Sequence, residues 1–176
     1  MKISSLIAVV SQENIDTDQI IPARFLKVTD KVGIGQHLFE DRPEFQVTKG
    51  PEILVAGNNF GCGSSREHAV WALKDFGFKA VISTSFADIF RQNSLKNGLL
   101  PIVVDSTTHA LLKAGMQVTV DLSAQTVSIE GGRTVTFQID SFSKTCILEG
   151  LDEIGYLLKH ETAITDYETA NSGTGA

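Results

Sequence analysis

The stretch that decides the fold is GNNFGCGSSREHA, residues 57–69. An apolar segment, Ile53–Ala56, precedes it and apolar residues at helical spacing follow it, so the sequence predicts a strand, a glycine-rich turn and a helix. A helix that begins in such a turn presents unpaired N–H groups and the positive end of its dipole. Arg66 adds a planar cation that suits a carboxylate. Together these features predict an anion site.

The stretch does not fit the common nucleotide-binding loops. Gly61 and Gly63 could open a dinucleotide fingerprint, but Arg66 stands where the third glycine belongs, and no GK[ST] phosphate loop occurs. A nucleophile elbow is also excluded, because Arg66 and Glu67 follow the serines. The sequence therefore favours a carboxylate-bearing metabolite over a nucleotide.

Ser64 has a structural reading as well as a chemical one. Ser64 and Glu67 form the S-x-x-E pattern of a helix-capping box. A cap needs one serine, whereas here two serines and an arginine stand in a glycine-rich turn. The two interpretations are compatible, so we expect Ser64 both to cap the helix and to carry chemistry. Gly61 and Gly63 are expected to support the turn by allowing close backbone approach.

The chain around this stretch predicts a parallel α/β half followed by a hairpin-rich half. Strand and helix patterns alternate up to residue 114, with Ser85 and Asp88 placed as a second capping box, and such alternation predicts parallel strands. Period-two segments follow, two of them joined at Gly131-Gly132 by a tight turn. The predicted strands are 5–10, 53–56, 79–83, 99–104, 117–122, 126–130 and 134–139, and the predicted helices are 65–76, 85–96, 106–114 and 151–167.

The domain organisation follows from these patterns. We predict one domain over residues 1–168 and a disordered tail over 169–176, which is small and polar. Residues 24–49 carry only a short helical piece near 34–39, so we expect a mobile loop there.

Composition narrows the class of protein. The 176 residues carry 15 basic and 21 acidic side chains, a net charge of -6, which argues against a nucleic-acid partner. The first apolar run is too short to cross a membrane, so we expect no membrane partner. Cys62 and Cys146 have no zinc-ligand spacing, predict no metal site and fit a reducing, cytoplasmic location. Two thiols are too few for an iron–sulfur cluster.

Four blocks of sequence resemble one known family. They are NIDTDQIIPARFL at 14–26, NFGCGSSREHA at 59–69, SFADIFRQNSLKNGLLP at 85–101 and GLDEIGYLLKHETAITDYE at 150–168. The blocks look like those of the bacterial 3-isopropylmalate dehydratase (isopropylmalate isomerase) small subunit, and the resemblance runs from about residue 3 to 168. The GSSREHA block is shared more widely, with the swivelling fourth domain of aconitases.

The resemblance implies a fold and an activity. The fold would be a single swivelling β/β/α domain like aconitase domain 4. The activity would be a hydro-lyase of leucine biosynthesis that interconverts 2-isopropylmalate and 3-isopropylmalate through isopropylmaleate. In this family a [4Fe–4S] cluster in a separate large subunit holds the substrate hydroxyl as a Lewis acid, so the chain would work as part of a heterodimer. We also expect that the isolated chain could self-associate through its exposed partner face.

The resemblance also implies residue roles. Ser64 matches the serine that acts as general base, and Ser65 and Arg66 match residues that hold a substrate carboxylate. Related small subunits recognise substrate with the segment after the IIP block, where archaeal members carry Tyr-Leu-Arg-Thr. Here the aligned residues are 25–28, FLKV, so Arg24 and Lys27 become the candidates for contacting substrate or partner; a solvated basic pair is the alternative.

Several other residues have competing interpretations. Residues 16–18, DTD, could bind a metal, although a turn closed by an Asp side chain is favoured. His68 is expected to support the loop or Ser64, Cys62 to pack, and Trp71 to lie in the core or a subunit interface. Asn58 and Asn59 are expected to tie down the loop.

Four alternatives to this function stay open. The chain could be the small subunit of a related dehydratase, namely homoaconitase, citraconate hydratase or dimethylmalate dehydratase. It could also be a stand-alone carboxylate-binding module. Intact Ser64, Ser65 and Arg66 argue against the last of these.

Overall fold

The fold is built on a seven-stranded sheet. The structure is a computed structural model that describes residues 1–27, 29–161, 164, 165, 167 and 169. The strands lie in the order β4-β3-β2-β1-β5-β6-β7. Their bounds are β1 Lys2–Val10, β2 Ile53–Ala56, β3 Ala80–Ser83, β4 Leu100–Val103, β5 Gln117–Asp121, β6 Thr126–Ile129 and β7 Arg133–Thr136. Each of the seven predicted strands is confirmed, with ends that differ by at most three residues.

The first four strands run parallel and the last three antiparallel. Strand β1 pairs in parallel with β2 along Ile7–Val10 and antiparallel with β5 along Lys2–Leu6, so it joins the two halves. All four residues of β2 are buried, as are those of β3, because helices or loops cover both faces of a parallel sheet. The mixed α/β fold with a hairpin-rich half is therefore confirmed.

Six α-helices are present among the described residues. They are α1 Thr17–Ile20, α2 Glu67–Phe76, α3 Asp88–Lys96, α4 Ser106–Leu111, α5 Ser141–Glu149 and α6 Glu153–Lys159. Two apolar clusters cover the two faces of the sheet, one built around Leu54, Phe60 and Leu73 and the other around Ile53, Val55 and Val120. Alternate residues of β2 thus serve opposite clusters, as the two-residue period of a strand requires.

Two helices lay outside the sequence prediction. Helix α1 begins at the Asp16 cap, whose carboxylate accepts from Gln19 N at 2.8 Å while Gln19 Oε1 accepts from Asp16 N. Helix α5 is capped in the same way, by Asp140 accepting from Ser143 N. Its sequence, SFSKTCILE, is rich in weak helix formers, so propensity and periodicity did not reveal it.

The predicted C-terminal helix is only partly as expected. Helix α6 ends at Lys159 and a turn follows at His160, while described residues 161, 164, 165, 167 and 169 are again helical. The predicted tail, apart from Thr169, lies outside the described residues. No helix among the residues described is long and apolar enough to cross a membrane.

The segment 24–49 is anchored in its middle. Ile34 and Phe39 are buried in the cluster around Leu54, and Asp75 Oδ2 accepts from Gly33 N at 2.9 Å and from Gly35 N at 2.8 Å. Short 3-10 turns lie along it at Ala23–Phe25, Ile34–His37 and Pro43–Phe45. The mobility expected for this segment stays a prediction, since the structure shows only where it packs.

Gly35 tests this anchoring, because a Cβ there would lie 2.4 Å from Phe76 N. We expect Gly35→Ala to lower the free energy of unfolding by about 1–3 kcal/mol, as overpacking against backbone does. The matched control is Gly33→Ala, where φ is +89° and nothing lies within 4 Å, so only the conformational cost of about 1 kcal/mol applies. Urea denaturation measures the free energy of unfolding of both variants. Equal decreases in the two variants would contradict close packing of Gly35 on α2.

Candidate functional site

The glycine-rich loop lies at the carboxyl ends of the parallel strands. It leaves β2 at Ala56 and meets the segments that leave β1 and β3, at isolated bridges between Asp16 and Cys62 and between Phe60 and Phe86. Ligands of open α/β sheets bind in crevices at this edge, because loops from several strands converge there.

Residues 15–18 hold the loop through backbone pairing. Gly61 N donates to Ile15 O at 2.8 Å, and Thr17 N donates to Cys62 O at 2.9 Å. We call this pairing of residues 15–18 with residues 61–66 the clasp. It fixes the loop as a short extra strand pair would, with Ile15 and Thr17 buried beneath it.

Thr17 extends the clasp to Ser64. Its Oγ1 lies 3.3 Å from both Ser64 N, which donates to it, and Ser64 O, to which it donates. Thr17 is only 1% exposed, so its hydroxyl is held in place by the surrounding core. The backbone of Ser64 is therefore fixed, while its side chain is exposed and has no hydrogen-bond partner among the described residues.

Asp18 extends the clasp to Arg66. The carboxylate of Asp18 accepts a hydrogen bond from Arg66 Nη1 in an ion pair at the rim of the site. Arg66 is the less exposed partner, at 29% against 54% for Asp18. A guanidinium has five N–H donors, so this single contact leaves Arg66 able to bind a second carboxylate.

The two glycines are needed for the path of the loop. Both have positive φ, +78° at Gly61 and +91° at Gly63. A Cβ on Gly61 would lie 2.1 Å from Phe90 Cγ, and one on Gly63 would lie 3.2 Å from Asp16 Cβ. Their predicted supporting role therefore has a steric cause in this structure.

The prediction that Ser64 caps the helix is wrong. Helix α2 begins at Glu67, its N-cap is Arg66, and no side chain caps it. The backbone turns first at residues 64–66, where Arg66 N donates to Ser64 O at 2.9 Å. Glu67 therefore lies outside any capping box and instead contacts Lys96 Nζ at 2.9 Å and Asn97 Nδ2 at 3.4 Å. Its ion pair with Lys96 lowers the pKa of Glu67.

Asn58 and Asn59 tie down the start of the loop, as predicted. Asn58 Oδ1 accepts from Ser85 Oγ at 2.6 Å, and Asn59 Nδ2 donates to Asn14 Oδ1 at 2.9 Å. Ser85 is engaged here, since its Oγ also accepts from Asn59 N. The predicted capping box of Ser85 with Asp88 is accordingly wrong, and Ala87 is the N-cap of α3.

The remaining loop residues play supporting parts. The Cys62 thiol is partly buried, and burial together with the nearby Asp16 charge raises its pKa, which favours the neutral thiol. The His68 ring packs against Trp71 with centroids 4.5 Å apart. The burial of Cys62 agrees with the packing role predicted for it, whereas support of the loop or of Ser64 by His68 stays a prediction.

Among the residues described, no hydrogen bond or ion pair links Arg24 or Lys27 to the glycine-rich loop. The guanidinium of Arg24 is bound by Asp41 at 2.7 and 2.8 Å and by Glu40 at 2.7 Å, which raises the pKa of Arg24. Lys27 is exposed, and its side chain forms no ion pair with a residue that the structure describes. In this arrangement Lys27 is the more accessible of the two cations.

Sequence reasoning missed the long-range contacts of residues 17 and 18. Asp16 caps α1, as an Asp-closed turn anticipates, but Thr17 and Asp18 contact Ser64 and Arg66 across 47 and 48 positions of sequence. No local pattern signals such distant contacts. No group of three or more His, Cys, Asp or Glu side chains gathers in the described part of the chain. These residues therefore do not fit an iron–sulfur cluster.

Comparison with known proteins assigns the family. A model of the aconitase C-terminal domain matches residues 40–107, and a model described as LeuD_N matches residues 110–141. The 3-isopropylmalate dehydratase small subunit of Anaeromyxobacter sp. (strain K) is 54% identical, over 94% of this chain and 95% of the relative. The chain belongs to the 3-isopropylmalate dehydratase small-subunit family.

Other members of this family agree. The small subunit of Herpetosiphon aurantiacus is 56% identical, with 91% of this chain and 88% of the relative covered. A crystal structure of 3-isopropylmalate dehydratase from Methanocaldococcus jannaschii superposes with a TM-score of 0.77 and 34% identity, over 95% of this chain and 99% of that one. The fold expected from the family resemblance is therefore confirmed.

The hydroxyl of Thr17 gives a direct test of the clasp. We expect Thr17→Val to speed hydrogen exchange at the Ser64 amide by about fivefold, since the lost hydrogen bond is worth about 1 kcal/mol. Thr17→Ser keeps the hydroxyl and is the matched control, for which near-normal exchange is expected. NMR-detected exchange on both variants measures this, and an unchanged Ser64 rate in Thr17→Val would show that the bond is not formed.

Proposed function

We propose that this chain is the small subunit of a hydro-lyase that interconverts 2-isopropylmalate and 3-isopropylmalate through isopropylmaleate. Membership of the small-subunit family supports this assignment, with identities of 52–56% to relatives that carry that name. The same identities favour it over a homoaconitase, citraconate hydratase or dimethylmalate dehydratase subunit. They also argue against a stand-alone carboxylate-binding module.

The observation that carries the proposal is the arrangement of Ser64. The clasp fixes its backbone through Thr17, its Oγ is exposed, and Arg66 and the uncapped N-terminus of α2 follow within three residues. A catalytic side chain requires this combination of a fixed main chain and an accessible reacting atom.

In this proposal Ser64 is the general base. In dehydration the C–H bond next to a carboxylate breaks and its proton is removed, while the C–O bond on the neighbouring carbon breaks and the hydroxide takes a proton from solvent to leave as water. In rehydration a water gives one proton back to solvent and its hydroxide bonds to the carbon that lost the proton, while the removed proton is returned to the carbon that lost the hydroxyl group. Ser64 Oγ would take the proton in the first half and return it in the second.

A serine is a weak base unless its surroundings stabilise an alkoxide. The positive charge of Arg66 and the positive end of the α2 dipole lie beside Ser64 in sequence and favour negative charge there. Arg66 and Ser65 would also hold a substrate carboxylate, and exclusion of water by a partner would strengthen these interactions. Lys27 and Arg24 are proposed to contact substrate or partner from the segment 24–49.

The iron–sulfur cluster of the aconitase family is assigned to the partner. The described part of this chain offers no suitable group of ligands, and Cys146 is buried in α5, away from Cys62 in the loop. We therefore propose that the large subunit holds the cluster. A cytoplasmic location and a heterodimer with that subunit complete the proposal.

Helix α6 offers a surface for the large subunit. Ile154, Leu157 and Leu158 are 67%, 55% and 63% exposed, an apolar face of a kind that marks interaction sites. The two family models end by residue 141, yet the small-subunit relatives match 90–96% of the chain, so their match extends into α6. A separate small subunit needs a docking surface, and α6 lies in the part of the chain that the aconitase model does not cover.

Replacement of Ser64 tests the catalytic assignment. We expect Ser64→Ala, assembled with a competent large subunit, to lower kcat by about a hundredfold to a thousandfold, since loss of one preorganised group has that effect. Ser65→Ala is the matched control on the neighbouring hydroxyl and should raise KM more than it lowers kcat. Near-normal turnover of 2-isopropylmalate by Ser64→Ala would refute the assignment.

Charge on α6 tests the docking surface. We expect Leu158→Glu to weaken binding to the large subunit by about tenfold or more, because the charge would have to be buried in the interface. Lys159→Glu, the neighbouring exposed position, reverses a charge without touching the apolar face and serves as the control. Surface plasmon resonance against the large subunit measures both, and equal affinities for wild type and Leu158→Glu would place the interface elsewhere.

A further inference from the structure

A cavity of about 570 Å³ lies between α2, the end of α3 and the α5–α6 junction. None of the residues that line it belongs to the glycine-rich loop that carries Ser64. Lys31, Lys74 and Lys96 reach it from three different segments, and Trp71 forms one wall. The activity proposed above does not involve these three lysines.

Two of the lysines converge on one residue. Lys31 Nζ lies 3.4 Å from Asn97 Oδ1, and Lys74 Nζ donates to Asn97 O. Asn97 Oδ1 also accepts from Trp71 Nε1 at 3.1 Å, and Lys31 Nζ lies 5.0 Å from the centre of the Trp71 ring. Two ammonium groups are thus held beside neutral acceptors at the same place.

Neither ammonium group has a carboxylate partner among the described residues. The third lysine, Lys96, is neutralised by Glu67 at 2.9 Å, whereas no ion pair is formed by Lys31 or Lys74 in that part of the chain. Although Lys74 as a residue is exposed, burial of its ammonium group lowers its pKa, and the charge of Lys31 lowers it further. The carboxylate of Glu67, which pairs with Lys96, lies near enough for the charge of Lys31 to lower its pKa, but it forms no ion pair with Lys31 or Lys74 among the described residues. Two like charges held side by side therefore favour a bound anion.

The carboxylates on the cavity wall are committed elsewhere. Asp75 Oδ2 accepts from Gly33 N and Gly35 N, and Asp152 Oδ1 accepts from Gly155 N at 2.7 Å as the cap of α6. Their charges make the cavity less positive overall, but the oxygens named are already bonded to backbone. A bound anion would therefore meet Lys31 and Lys74 without displacing an existing ion pair.

Part of the wall is apolar. Leu95, Ile147 and Leu151 are among the residues that line the cavity. Sites for small ligands commonly combine such a wall with a few polar groups that fix orientation.

We propose that this cavity binds a small oxyanion, a carboxylate or a phosphate, between the ammonium groups of Lys31 and Lys74. The lysines supply charge-assisted hydrogen bonds, and the apolar wall accommodates an aliphatic body where the anion carries one. Ser64, Ser65 and Arg66 do not line the cavity, although Lys96 and Asn97 contact Glu67, so the anion site is tested separately from the proposed dehydratase activity.

Trp71 reports directly on this site, because it is the single tryptophan of the chain and lines the cavity. The experiment titrates the full chain with inorganic phosphate and, separately, with isovalerate, at constant ionic strength set with chloride, and follows Trp71 fluorescence. We expect a saturable change with at least one anion. Lys31→Gln and Lys74→Gln should each raise the apparent dissociation constant by about tenfold or more, as loss of a charged hydrogen bond does.

The controls separate binding from folding. Lys113→Gln removes an exposed lysine outside the cavity and should titrate like wild type, and Lys74→Arg should retain binding because it keeps the charge. Lys31 is itself exposed, so Lys31→Gln keeps the test valid if Lys74→Gln fails to fold. Saturation by isovalerate alone indicates a carboxylate with an aliphatic body, and saturation by phosphate alone indicates a phosphate. The proposal is overturned if neither anion saturates, or if the lysine variants titrate like wild type.

Discussion

The clasp between residues 15–18 and residues 61–66 is the constraint on which the site depends. Two backbone hydrogen bonds, Gly61 N to Ile15 O and Thr17 N to Cys62 O, set the register of a loop that is otherwise rich in glycine. Glycine gives that loop many accessible conformations in the unfolded chain, so ordering it costs conformational entropy. The clasp offsets this cost with backbone pairing over buried Ile15 and Thr17.

The clasp also links the backbone to the chemistry. The same short segment that pairs with the loop places Thr17 on the main chain of Ser64 and Asp18 on the guanidinium of Arg66. The base and the carboxylate-binding cation of the proposed reaction are therefore positioned by neighbouring residues of one element. The sheet brings this about, because β1 and β2 are adjacent and parallel and end at the same edge.

Periodicity and glycine placement in the sequence predicted most of the fold. They could not predict contacts between residues that are far apart in the sequence. The strands of the sheet followed from buried apolar runs and period-two segments, since burial of β2 and β3 on both faces leaves a plain apolar signal. Helix α5 was not predicted because its residues have weak helix propensity. The cap at Ser64 was wrong because α2 starts two residues later than its S-x-x-E pattern indicates, and the contacts of Thr17 and Asp18 cross more than forty residues of sequence.

The claim that Asp18 orients Arg66 can be measured as an energetic coupling between the two residues. A double-mutant cycle would compare kcat/KM of the assembled enzyme for wild type, Asp18→Asn, Arg66→Lys and the double variant, with complex formation checked for each. If Asp18 acts by orienting Arg66, its replacement should matter far less once Arg66 is lysine, with a coupling of about 1 kcal/mol or more. If the two substitutions lower kcat/KM independently, so that their effects multiply, the claim that the clasp positions the proposed carboxylate-binding group is contradicted.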